Sequence, residues 1–256
     1  MMWCAEMQML NASEILRNAG GVGESISQNS LRVLPDFLAG KLSFLCGKCY
    51  KYYMKFYKLI NGFVYDKLFG PFWFRPFYSA LMKEVKKYST EKQIQNPIIL
   101  DVACGTGNVL SLLKSITVEN NLYGTDYSQN MTQATIQKLP DAHIATVSSK
   151  IIPFNNVFFD CVVNTISFHH FPHQSEIIKQ MKSVLKQDGL LVIIDVVPFP
   201  YLPYFFTKLV HSFDGAFHVC STKEMIDMID DVFHKKPTVV RLSHFPLPVF
   251  IYSVRS

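Results

Sequence analysis

Residues 98–110 read IILDVACGTGNVL. An apolar run ends in Asp101, and the turn Ala103-Cys104-Gly105-Thr106-Gly107 then opens directly into a helical pattern. Glycines suit a turn whose backbone must come within contact of a ligand, and a helix start offers N–H groups and a partial positive charge. The expectation is a cofactor lying over this turn. Past it, a second apolar run ends in Asp126 (NLYGTDYS), where a carboxylate can accept both hydroxyls of a ribose. Dinucleotide-binding turns carry a third glycine so that the helix packs on the strand. Leu110 stands there and Ala103 replaces the first glycine, which weakens a pyrophosphate reading and with it a nicotinamide-dependent oxidoreductase.

Two further clusters could do chemistry. His169 and His170 follow the apolar run VFFDCVVN and are the best-placed general bases, should an acceptor need one. His211, Asp214 and His218 could share a helical face, although Gly215 argues against a continuous helix, and lining a substrate pocket suits them better than holding a metal. Cys46 and Cys49 have no second pair at zinc-finger spacing, so no metal site is expected.

The elements that must position these residues alternate. From Pro97 onward, short apolar runs (PIILDVA, NLYGTD, HIATV, VFFDCVVN, LLVIIDVV) are separated by helical stretches starting near Gly107, Ser128 and His173, the last reaching Lys186. That alternation predicts a doubly wound, mostly parallel α/β sheet. Ser221 to Glu224 supply a capping signal for the helix EMIDMIDDVF, and TVVRLSHF and LPVFIYSV read as paired strands. Only a few residues around Pro246 join that pair, too few for a parallel crossover, so the last strand should enter antiparallel.

The 256-residue chain is 49% hydrophobic, with 35 aromatic residues, which excludes disordered, collagenous and low-complexity classes. Its net charge of +5 is unevenly spread. Between Lys41 and Lys92 stand 11 basic residues against 3 acidic ones, together with 15 of the aromatics, a mixture that could face anionic lipid, nucleic acid or a bulky apolar ligand. Phe77, Leu81 and Val85 recur there at a helical interval, with breaks expected at Gly70-Pro71 and Pro76. The organisation expected is a loosely ordered lead-in over 1–40, a basic aromatic helical lid over 41–96 and a cofactor-binding domain over 97–256. No secretory signal is read at the N-terminus, and the uncharged stretches are too short to span a membrane, which points to the cytoplasm, with peripheral contact at a membrane surface through residues 41–80.

In order and spacing, the DVACGTGN turn, the acid at Asp126, the segment Ile152-Pro153-Phe154 with Phe159-Asp160, and SVLKQDGLLVIID resemble the class I S-adenosylmethionine-dependent methyltransferases over about residues 60–254. Within that superfamily the chain is most similar to the group of ubiquinone/menaquinone C-methyltransferases and small phospholipid N-methyltransferases. Their lead segment often carries a Tyr-Asp like Tyr65-Asp66. The resemblance implies S-adenosylmethionine as cofactor on a seven-stranded Rossmann-like sheet. It puts Gly105 and Gly107 under the adenosine and methionine portions, with Ala103 at the first turn position. Asp101 falls near the methionine ammonium, Asp126 on the ribose and Tyr127 beside the adenine, while Asn164 and Thr165 line the path to the sulfonium and substrate. Where relatives usually place an acid for the adenine amino group, this chain has Ser148 or Ser149, a neutral and weaker acceptor, so modest cofactor affinity is expected.

Methyl transfer from a sulfonium needs alignment more than acid or base. The expected activity is therefore methylation of a hydrophobic or lipid-like small molecule, of quinone or phospholipid type. The lid over 41–80 and the Pro- and aromatic-rich insert over 197–220 would enclose that acceptor. Methylation of a soluble metabolite, or a non-catalytic protein that keeps the fold, stand as the alternatives. No Asn-Pro-Pro-aromatic segment follows the fourth apolar run, which disfavours nucleic acid as substrate.

Overall fold

The computed structural model describes residues 71–147, 151–154, 157–198, 218–243 and 248–256. Its first element is helix α1, Pro71–Glu91. Leu81, Val85 and Tyr88 are buried at intervals of four and three, so one face of α1 lies on the core. The break expected at Pro76 does not occur, and the helix runs through it. Pro76 sits just beyond the first turn, whose N–H groups lack intrahelical partners in any case, so the ring removes only one further bond.

Seven strands follow: β1 Ile99–Val102, β2 Leu122–Asp126, β3 His143–Thr146, β4 Phe159–Thr165, β5 Leu185–Val196, β6 Thr238–Ser243 and β7 Val249–Arg255. They form one sheet in the order β3-β2-β1-β4-β5-β7-β6. Strands β1 to β5 pair in parallel, whereas β7 runs antiparallel to both β5 and β6, as the short link around Pro246 requires. Among the described residues four more α-helices follow: α2 Asn108–Leu113, α3 Gln129–Lys138, α4 Gln174–Val184 and α5 Thr222–Phe233. The sheet is the doubly wound, mostly parallel one that the alternating pattern predicts.

Both faces of the sheet are covered, which is why its central strands read as continuous apolar runs. Alternate residues go to opposite sides. Leu100, Val102, Val162, Leu191 and Ile193 pack with Ile177, Ile178 and Met181 of α4 and Met225, Ile229 and Phe233 of α5. Ile99, Cys161, Val163, Val192 and Ile194 pack with Leu81, Val85 and Tyr88 of α1 and with Val109, Leu110 and Leu113 of α2. The capping signal before α5 is a complete capping box: Ser221 Oγ accepts the Glu224 N–H at 3.2 Å, and Glu224 Oε2 accepts the Ser221 N–H at 2.7 Å.

One boundary differs from the sequence expectation. The helix read as reaching Lys186 ends at Val184, and β5 starts at Leu185, ahead of LLVIIDVV. Phe159 pairs with Leu185 but Cys161 pairs with Leu190, so residues 186–189 bulge out of the ladder, with Asp188 at φ 61. Asp160 fastens this bulge, accepting Lys186 Nζ on Oδ1 at 2.9 Å and the Ile98 N–H on Oδ2 at 2.8 Å. Phe154 and Phe159 meet edge to face at 5.3 Å and both pack on Tyr123, away from the glycine turn. Ile152, Phe154, Phe159 and Asp160 of that motif thus support the sheet.

Candidate active site

The carboxyl ends of β1, β2, β4 and β5 meet at one edge of the sheet, where doubly wound folds hold ligands. The turn after β1 is left-handed at three positions: Ala103 at φ 61, Gly105 at φ 55 and Gly107 at φ 75. Gly107 is obligatory on two grounds. Its φ favours glycine, and a Cβ there would come within 2.6 Å of Thr135 Cγ2. Thr135 Oγ1 in turn donates to the Gly105 carbonyl at 2.8 Å, so α3 braces the turn from behind.

The place of the missing third glycine is filled from the other side. Leu110 is fully buried, and the room for it comes from Gly124 in β2, where a Cβ would stand 2.9 Å from Leu110 Cδ1 and 2.9 Å from Cys104 Sγ. Close helix–strand packing is therefore kept, with the glycine on the strand instead of the helix.

Two acids stand beside the turn. Asp126 is 3% exposed and accepts the Gly105 N–H on Oδ2 at 2.9 Å and the Ser128 N–H on Oδ1 at 2.8 Å. Burial pushes its carboxyl up to about 6 in spite of the backbone bonds from Ser128, Gly105 and Tyr127 that favour the charged form. Asp101 is 1% exposed, and neither carboxyl oxygen has a hydrogen-bond partner. Its carboxyl is held well above the usual range, first by burial and then by the Asp126 charge. Asn164 is fully buried at the end of β4, where its amide donates to the Val102 carbonyl and to Ser167 Oγ, both at 2.7 Å, while Oδ1 has no partner. Asp101 and Asn164 thus carry unpartnered acceptor atoms near the ends of neighbouring strands, Asp101 on the Ile99 face of the sheet and Asn164 on the Val162 face. Buried acceptors without donors are costly, and a ligand ammonium with its three N–H groups answers that need.

Beyond β4 the chain turns at Ile166, whose φ of 49 is rare for a β-branched residue and costs about 1–3 kcal/mol. Several bonds hold the turn: Ile166 N–H to the Ile194 carbonyl at 2.7 Å, Gln174 Nε2 to the Phe168 carbonyl at 3.1 Å, and His218 N–H to the His169 carbonyl at 3.1 Å. His169 is 3% exposed and lies against Asp195 of β5, which is 2% exposed. Asp195 Oδ2 accepts the His169 backbone N–H at 2.8 Å, and Oδ1 lies 2.6 Å from His169 Nδ1 and also takes the Val196 N–H at 2.9 Å. The His170 ring is half-buried, its centroid 4.1 Å from that of His169.

Of the residues singled out from sequence, Asp101, Ala103, Gly105, Gly107 and Asp126 come together around the first turn. Tyr127 and Thr165 are half-buried at the ends of β2 and β4, next to Asp126 and Asn164. Tyr65, Ser148, Ser149, His211, Asp214 and the segment 41–70 lie outside the described residues. Sequence reasoning missed Asp195, although β5 ends in an acid as β1 and β2 do, and it missed the Thr135 brace. Among the described residues, no helix is long and apolar enough to cross a membrane.

Comparison with known proteins agrees with this geometry. Residues 100–193 match the family described as a methyltransferase domain. A demethylmenaquinone methyltransferase of Thermotoga maritima is 30% identical over 100 residues, covering 39% of this chain and 44% of that protein. One from Geobacillus sp. (strain WCH70) is 28% identical over 136 residues, covering 49% of this chain and 58% of that protein. The chain thus spans about half the length of these curated relatives. The geranyl diphosphate C-methyltransferase of Streptomyces coelicolor, solved with S-adenosyl-L-homocysteine, superposes with a TM-score of 0.54 at 14% identity, covering 63% of this chain and 72% of that one. The sheet accordingly has the fold of S-adenosylmethionine-dependent methyltransferases, and residues 100–193 match a methyltransferase domain.

Proposed function

We propose that this protein transfers a methyl group from S-adenosylmethionine to a hydrophobic small molecule, most closely a prenylated quinol. The observation that carries the reading is the pair of buried acids around a left-handed turn: Asp101 without a donor, Asp126 already fastened to the turn. In this reading Asp101 takes the methionine ammonium, and Asn164 lines the path to the sulfonium and substrate. Asp126 keeps lone pairs for the ribose hydroxyls beyond those it uses on the Gly105, Tyr127 and Ser128 N–H groups. Ala103, Gly105 and Gly107 let the backbone pass under the cofactor, Tyr127 flanks the adenine, and Thr165 borders the path to the sulfonium. Ser148 would accept from the adenine amino group, and Tyr65 would join the cofactor-binding residues.

When bound, S-adenosylmethionine supplies an already activated methyl on a sulfonium, so the protein's task is alignment and exclusion of water. The quinol as acceptor is supported by the demethylmenaquinone methyltransferases among the relatives. The basic aromatic residues of 41–80 suit a surface where such lipids reside.

The test has two stages. S-adenosylhomocysteine should raise the melting temperature, because a ligand that binds only the folded state stabilises it. Methyl transfer should then appear with a 2-prenyl-1,4-naphthohydroquinone and be absent with phosphatidylethanolamine or glycine. No thermal shift would sink the cofactor assignment, and transfer to glycine would sink the acceptor class. Co-sedimentation with anionic vesicles, lost at high salt, is the expected behaviour of the 41–80 segment.

A further inference from the structure

The loop after β4 is determined far beyond what a connection from strand to helix needs. The strained Ile166, the Ser167 hydroxyl, the Phe168 carbonyl and both the backbone and ring of His169 are each held by a different neighbour. One carboxylate, that of Asp195, fixes both the N–H and the ring nitrogen Nδ1 of a single residue. A buried histidine kept only for packing would be satisfied by one carbonyl. Two bonds to an acid instead set the ring's rotation and its tautomer: with the proton on Nδ1 toward Asp195, Nε2 becomes the basic nitrogen. Strain stored beside a ligand-binding edge is commonly part of how a group is aimed.

We infer that His169, oriented by Asp195, takes the proton of an acceptor hydroxyl, so that the acceptor is a phenol or enol and not an amine or a phospholipid head group. In this step the acceptor O–H bond breaks, an N–H bond forms at Nε2, and the electron pair stays on oxygen, where it is shared with the conjugated carbons. Asp195 is a positioning residue that also balances the imidazolium charge, and it does not touch the acceptor. The inference rests on the methyl-transfer reading and narrows its substrate class.

The titratable groups that face this pair among the described residues are His170 on the same turn, His218, whose amide bonds the His169 carbonyl, and Cys220 and Tyr252 on the Asp195 side. Burial pushes both the Cys220 thiol and the Tyr252 hydroxyl up to about 12, so neither carries charge near neutrality.

The experiment combines a spectrum, a binding measurement and a rate. Nitrogen-15 spectra of histidine-labelled wild-type protein should show His169 as the Nδ1–H tautomer, a readout that needs neither substrate nor variant. Asp195→Asn should bind S-adenosylhomocysteine within twofold of wild type by calorimetry. With 2-prenyl-1,4-naphthohydroquinone as acceptor, its kcat should fall at least tenfold at nearly constant KM and the acid limb of its pH profile should move, with partial rescue by Asp195→Glu. An Nε2–H tautomer in the wild type, or an Asp195→Asn variant with unchanged kcat and pH profile, would overturn the inference. So would wild type that binds S-adenosylhomocysteine but leaves the phenolic probe unmethylated. Failure to bind S-adenosylhomocysteine at all would instead strike the underlying methyltransferase reading.

Discussion

Asp126 Oδ2 accepts the Gly105 N–H at 2.9 Å, so the acid that ends β2 closes the turn that follows β1. A residue that both shapes the turn and takes ribose hydroxyls should respond differently to two substitutions. Asp126→Asn keeps one acceptor oxygen and should weaken S-adenosylhomocysteine binding by about 10- to 100-fold, in line with about 1.5–3 kcal/mol for hydrogen bonds to a charged group, at little cost in melting temperature. Asp126→Ala should also destabilise the free protein by about 1–3 kcal/mol, because the Gly105 and Ser128 N–H groups lose their partner. Calorimetry and thermal melts separate the two effects, and an Asp126→Asn protein that binds like wild type would refute the ribose role.

The elevated carboxyl of Asp126 sets a pH dependence with a definite sign. Folding raises it from 3.8 to about 6, so the folded state holds the proton more firmly than the unfolded chain. The associated stability is complete below about pH 4 and is lost as pH climbs through 6, on the order of 3 kcal/mol in all. Asp101, shifted in the same direction, adds to it. Melts of the ligand-free protein between pH 4 and 7.5 should therefore slope less favourably for wild type than for Asp126→Asn, and identical slopes would contradict the assignment. Cofactor binding favours the ionised acids, so affinity for S-adenosylhomocysteine should weaken as pH drops below about 6.

Asp101→Asn carries the opposite trade. Removing an unpartnered buried acid should stabilise the ligand-free protein near pH 7.5 by on the order of 1 kcal/mol, or about 2–4 °C, while cofactor affinity falls at least tenfold. A variant that lost stability and kept affinity would show that Asp101 serves the fold and not the ligand.

Gly107→Ala should cost about 2–4 kcal/mol, combining the left-handed φ with a 2.6 Å approach to Thr135 Cγ2. Adding Thr135→Ser, which deletes that methyl and keeps the hydroxyl on the Gly105 carbonyl, should recover about 1 kcal/mol. A double-mutant cycle measures the coupling, and additivity would deny the contact. Ala103→Gly should act in the other direction: at φ 61 an alanine is the strained choice, and glycine should stabilise by roughly 0.5–1 kcal/mol.

The strands, the helices between them and the acids at the strand ends were readable from the chain because each depends on local pattern: apolar runs of strand length, an acid at the end, a glycine turn. What escaped depends on residues far apart in sequence. Nothing near Leu110 says that Gly124 makes room for it, and nothing near His169 says that Asp195, 26 residues on, will hold its ring. Pro76 misled in the other direction, since a proline near the start of a helix removes little that the helix had. The motif residues Phe154, Phe159 and Asp160 carry the family resemblance, and aromatic packing and the clasp on Lys186 show them to be supports of the sheet.

The insertion of β7 between β5 and β6 has a consequence for how the chain comes to be folded. Growing from the ribosome, β6 emerges before the strand that joins it to the sheet exists, and the flank of β5 waits exposed over the same interval. The half of the sheet carrying the glycine turn can assemble during synthesis. The half carrying Asp195 is completed only once β7 is released, so the side of the sheet that holds the His169 ring forms last.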